Sequence, residues 1–164
     1  MTSRSHARRM VLLGAPESRV MVLKNAKYGT LAPRARQGAS VVNDFQRLMS
    51  VSGENPVFLA GSLRAGETAT LVEASQALDR ACPGLVSILA PRHPSRTGLL
   101  EKALRRRGLA FHRWSRLKAG GEKRVHPWVL VDTLGDLFYL YGLATVVFCG
   151  GSLVDLGGQN VMEP

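Results

Sequence analysis

WVLVDTLGDLFYLYGLATVVFCGG, residues 128–151, joins two short apolar runs through a polar turn and an amphipathic stretch, and ends on a glycine pair. WVLV (128–131) and TVVFC (145–149) lack the polar alternation of a strand that faces water on one side, so both read as buried strands of a parallel sheet. Between them, Thr133 and Asp136 stand in the spacing of a capping box, which predicts a helix over 133–144 starting directly after the first strand. Strand, crossover helix and strand are the repeating unit of a parallel sheet.

Working outward, the unit recurs. VFLA (57–60) follows Pro56, and residues 66–82 place Leu71, Ala74, Leu78 and Cys82 on one helical stripe. LVSILA (85–90), a helix over 97–107 and a strand over 109–114 come next, and the polar, glycine-containing 115–127 reads as a loop. The fold class is therefore α/β: a Rossmann-like parallel sheet with helices on both faces, over residues 56–164. Residues 1–55 form a less regular lead-in segment containing one amphipathic helix over 40–51.

The chain has 164 residues, enough for one hydrophobic core, and no apolar run approaches the roughly 20 residues of a membrane span. Cys82 and Cys149 are far apart with no metal-ligand spacing, which fits a reducing compartment. Lys and Arg outnumber Asp and Glu 22 to 12, a net charge of +10, and eleven of them crowd between Arg92 and Arg124 against Glu101 and Glu122. Such a surface attracts polyanions: nucleic acid, phosphate-bearing substrates or an anionic membrane. The aromatic residues do not interleave with the arginines as base-stacking platforms would, which speaks against nucleic acid.

In a parallel sheet, ligands sit at the carboxyl ends of the strands. Four segments fall there: GSLRAGE (61–67), APRHP (90–94), DTLGDL (132–137) and GGSLVDLGGQNVMEP (150–164). Arg92 can fork onto a phosphate or carboxylate, and glycine pairs let a ligand approach the backbone. Gly157 and Gly158 precede Asn160, a good N-cap whose following amides can receive an anion. Taken singly, each segment is as readily a turn or a helix start. Neither the dinucleotide fingerprint nor a P-loop is present.

In this order and spacing, the four segments resemble the motifs of the 3-deoxy-D-manno-octulosonic acid (Kdo) transferases of lipopolysaccharide synthesis, and LGAPESRVMVLKNAKYGT (13–30) resembles the segment joining the two halves of those GT-B enzymes. The resemblance implies a partial carboxyl-terminal GT-B domain that binds CMP-Kdo and serves transfer of Kdo to lipid A precursor at the cytoplasmic face of the bacterial inner membrane. Carried over by position, it implies that Pro91, Arg92, Leu134, Gly135, Asp136, Asn160, Val161, Met162 and Glu163 hold CMP, and that Lys27 stabilises charge in the transition state. It implies no metal and no cofactor. The family's acceptor-binding amino-terminal domain, with its glutamate general base, has no counterpart in the sequence, so the chain is expected to be a fragment without transferase activity of its own.

Several positions depart from the family pattern. Arg64 and Gln159 stand where the family has His, Asp136 where it has Glu, Leu134 where it has Met, Val161 where it has Pro, and Gly29 where Asp is usual. Two other readings stay open on the residues: a basic α/β module for nucleic acid or an anionic membrane, and part of another nucleotide-sugar GT-B enzyme.

Overall fold

The computed structural model describes residues 3–23, 33, 38–155, 157–159 and 161. The chain divides into two compact units, Met1–Gly38 and Ala39–Pro164. In the first, helix α1 (Arg4–Leu12) opens at Ser3, whose Oγ accepts from the His6 amide at 3.2 Å. A short 3-10 turn at Glu17–Arg19 follows.

The second unit contains α2 (Ala39–Leu48), β1 (Val57–Leu63), α3 (Thr68–Ala81), β2 (Val86–Pro91), α4 (Thr97–Arg106), β3 (Phe111–Arg113), α5 (Trp114–Lys118), β4 (Trp128–Leu130), α6 (Leu137–Leu140) and β5 (Val146–Cys149). The five strands form one sheet in the order β3-β4-β2-β1-β5, and every pair is parallel. The α/β expectation is met.

Strand alternation builds two cores. Val57, Leu59, Val86, Ile88, Ala90, Val129 and Val131 face one side, against Phe45 and Met49 of the α2 region, Trp114 and Leu117 of α5, and Leu140 of α6. Phe58, Ala60, Leu63, Leu89, Trp128 and Leu130 face the other, against Leu71 and Val72 of α3 and Leu100 and Leu104 of α4. On β1, β2 and β4 both faces are covered, so those strands need apolar residues at nearly every position; β5, expected to be buried, lies at the sheet edge with Val146 exposed and the rest half-buried, and β3, at the other edge, reads Phe-His-Arg. The helix expected within the lead-in, α2, belongs to this core: Met49 just beyond it is fully buried, and Arg124 holds its end by donating to the carbonyls of Met49 and Ser50.

Two segments differ from the sequence expectation. Residues 115–127 were expected to be loop, yet α5 begins at Trp114. Asp132 caps it from a distance, accepting from the Ser115 amide at 2.9 Å and the Ser115 hydroxyl at 2.7 Å, while Trp114 and Leu117 are buried. Tertiary capping of so short a helix leaves no periodic trace. The helix expected over 133–144 is confined to Leu137–Leu140 with a 3-10 turn at Tyr141–Leu143. Gly135 takes a φ of +85°, outside the helical range, and the Asp136 carboxylate turns inward rather than onto the helix amides.

The strand order reverses at β1. The chain moves from β1 to β2, out to the edge strand β3 and back to β4 on one side, then crosses to place β5 on the other side of β1. The crevice outside the carboxyl ends of β1 and β5 is the topological switch point of the sheet. Gly150 makes this junction possible: its amide donates to the Gly61 carbonyl at 2.7 Å, and a Cβ there would overlap the Ser62 carbonyl oxygen and lie 2.8 Å from Leu63 Cα. Gly150→Ala is expected to destabilise the unit by about 3 kcal/mol, because the obstruction is backbone and cannot swing aside. Urea unfolding of the variant beside the parent measures this.

Candidate functional site

The carboxyl edge of the sheet carries four loops, and buried carboxylates fasten them. Glu67, fully buried in the 3-10 turn after β1, accepts from the Arg64 amide at 2.8 Å, the Gly151 amide at 2.9 Å and the Leu153 amide at 3.0 Å. One side chain thus ties the loop after β1 to the loop after β5. Burial pushes the Glu67 carboxyl up, but the amides of Arg64, Gly151, Leu153 and Ser152 together outweigh it and hold the group below the usual carboxylate range.

Asp136 does the same on the other side. It is buried, and its Oδ2 accepts from Trp114 Nε1 at 3.0 Å and the Thr133 hydroxyl at 2.6 Å, while Lys118 Nζ reaches Oδ1 at 2.8 Å. Burial raises this carboxyl too, and Lys118, Thr133 and Trp114 more than reverse it. Asp136 is among the residues expected to line a nucleotide; its carboxylate bonds to Trp114 and Lys118 of α5 and to Thr133. The outer surface of the same loop is formed by Leu134, 82 % exposed, and Gly135, where a Cβ would meet nothing within 4 Å.

Pro91 closes β2 and Arg92 follows it, exposed, with its amide donating to the Leu63 carbonyl at 2.9 Å. Among the described residues no carboxylate lies within 4 Å of its guanidinium. The strand ends carrying Arg92 and Leu134–Gly135 are neighbours, since β2 pairs with β4. Val161 is exposed. Lys27, Asn160, Met162 and Glu163 lie outside the described residues.

Two features of this edge escape a reading of the sequence. Ser62 takes a φ of +56° where the pairing of β1 with β2 slips between Ala60 and Leu63. Such a conformation costs a non-glycine residue of order 1 kcal/mol and concentrates at ligand sites. The second is Glu67. Its only sequence signal is a glutamate three residues after Arg64, which marks a helix start and says nothing of the loop 84 residues later. At the mouth of the β1/β5 crevice, Arg64 and Gln159 meet: with the amide carbonyl facing the guanidinium, Gln159 Oε1 accepts from Nε at 3.1 Å and Nη2 at 2.7 Å.

Among the described residues no helix is long and apolar enough to cross a membrane, and no three His, Cys, Asp or Glu side chains gather as metal ligands.

No protein-family model matches the chain. The Kdo transferase of Haemophilus influenzae is 28 % identical over 158 residues, 96 % of this chain and 35 % of that protein. The Kdo transferase of Bordetella pertussis is 41 % identical over 112 residues, 66 % of the chain and 26 % of the relative. A bifunctional glycosyltransferase/methyltransferase of Fusobacterium nucleatum is 29 % identical over all of the chain and 24 % of its own length. The chain thus spans about a quarter to a third of these relatives. Among solved structures, the C-terminal CMP-Kdo binding domain of WaaA from Acinetobacter baumannii matches with a TM-score of 0.66 at 27 % identity, over 79 % of this chain and 66 % of that one.

Glu67→Gln is expected to cost about 2 kcal/mol at pH 7, because an amide nitrogen then faces backbone donors. The folded carboxyl is depressed, so its stabilisation is present above the ordinary glutamate value near pH ~4.3 and lost as pH falls through the lower folded value. Urea unfolding across pH 7 to 3 is expected to show a smaller acid loss in the variant, with a remainder from Asp136, which is depressed likewise.

Proposed function

From this chain's kinship in sequence and fold with the Kdo transferases, we propose that it forms the donor-binding part of such an enzyme, holding CMP-Kdo for transfer of Kdo to a lipid A precursor. The supporting observation is the coincidence of two independent facts. The solved domain that shares this fold is described as CMP-Kdo binding, and in this chain the exposed Arg92 and the Leu134–Gly135 surface lie on neighbouring strand ends of one carboxyl edge.

The chemistry asked of this part is leaving-group stabilisation. As the bond from the sugar to the cytidylate phosphate breaks, negative charge grows on the phosphate oxygens. The guanidinium of Arg92, set against those oxygens, lowers the energy of that charge. Gly135, having no side chain, admits the nucleotide close to the backbone. Asn160, Val161, Met162 and Glu163 complete the cradle in this reading, Glu163 by accepting from cytidine hydroxyl or amino groups, and Lys27 adds a positive charge. Asp136 acts one step back, holding the loop that presents Leu134 and Gly135.

The base that deprotonates the acceptor hydroxyl belongs to the family's acceptor-binding domain in this proposal. So do the lipid A precursor and the cytoplasmic face of the inner membrane, to which a net charge of +10 would be attracted.

Calorimetric titration with CMP, UMP and AMP tests the proposal. CMP is expected to bind at least about 10-fold more tightly than the other two, and Arg92→Ala to weaken it by about 10-fold, the worth of one charge-assisted hydrogen-bond pair. Equal affinity for the three nucleotides, falling in parallel with added salt, would instead identify a general polyanion surface.

A further inference from the structure

Arg64 and Gln159 are far apart in the chain and adjacent in space, and their meeting point is the switch-point crevice. Arg64 directly follows β1, whose pairing with β2 slips around the positive φ of Ser62. Gln159 follows the loop after β5, which is drawn back over the strand end by the Gly158 amide donating to the Gly151 carbonyl at 3.2 Å. The Gln159 carbonyl occupies the Nε–Nη2 edge of the guanidinium, leaving its Nη1 end without a partner among the described residues. No carboxylate among those residues lies within 4 Å of it. The nearest one in sequence, Glu67, is saturated by backbone amides.

A guanidinium oriented by a neutral acceptor, and not neutralised by an acid, keeps its full charge for something else. Its location is where a parallel sheet receives its ligand. We infer that Arg64, aimed by Gln159, is a specificity-determining contact for an anionic group of the bound donor. The inference rests on the donor-binding proposal above. That donor offers two anions, the phosphate ester and the sugar carboxylate, and either matches the planar fork of the guanidinium.

Three probes separate the possibilities when titrated into the full chain: cytidine, CMP and CMP-Kdo. Arg64→Gln is expected to leave cytidine binding unchanged and to weaken CMP-Kdo by about 10- to 100-fold, the range of a charge-assisted pair. Arg64→Lys keeps the charge without the fork and is expected to lose less than Arg64→Gln. Gln159→Ala is expected to lose about 3- to 10-fold, because the guanidinium is present but no longer aimed. A loss shared by CMP and CMP-Kdo assigns the contact to the phosphate, and a loss confined to CMP-Kdo assigns it to the sugar carboxylate. Folding is controlled by thermal melts, which should not move, since Glu67 uses the backbone amide of Arg64 and not its side chain.

Unchanged affinity for both CMP and CMP-Kdo in Arg64→Gln overturns this inference and leaves the donor-binding proposal standing. An equal loss for cytidine overturns it as well, since the effect would not be on an anion. Failure of the parent chain to bind any of the three probes overturns both.

Discussion

The carboxylate of Glu67 is the constraint on which the carboxyl edge of this sheet depends. Parallel strands meet only through long crossovers, so nothing in local chain geometry brings the loop after β1 to the loop after β5. Glu67 does so by collecting amides from both. An ionised carboxylate without water is stable only when its lone pairs are filled, and here the donors are backbone groups that cannot rotate away. The result is a joint between the two loops, next to the slip in β1 and the close crossing at Gly150. Arg92 continues the same joint across β2, its amide bound to the last carbonyl of β1.

Asp136 shows how a similar device serves a different end. Both carboxylates are buried, both are depressed, and both sit just before a helix. Glu67 gathers backbone amides and joins two loops, whereas Asp136 gathers side chains and orients one. Trp114 links Asp136 to the core through its edge-on contact with Phe45, at 4.7 Å between ring centroids. The exposed Leu134–Gly135 surface is therefore anchored through Asp136 to the packing of α2 and α5. A change at Phe45 or Trp114 would be transmitted to that surface through Asp136.

The central strands β1, β2 and β4 were legible in the sequence because burial on both faces forces uninterrupted apolar runs, and those runs are short enough to exclude helices. The carboxyl-edge position of the candidate segments followed from that topology. What did not show was anything set by contacts between distant residues. α5 is five residues long and exists because Asp132 caps it from the end of β4. The Thr133/Asp136 spacing was that of a capping box, but a tryptophan and a lysine elsewhere in the chain claimed the carboxylate first. Charge was equally deceptive. Within the basic stretch, Arg113 pairs with Glu101 at 2.5 Å and Arg124 closes the end of α2, so part of the excess is structural. Counting cations overstated what is free to meet a partner.

Arg64 and Gln159 carry the same lesson into the site. Read singly, each is a departure from histidine in the motifs this chain resembles, and each looks like a loss of a titratable group. Seen together they are one unit, a guanidinium and the amide that aims it.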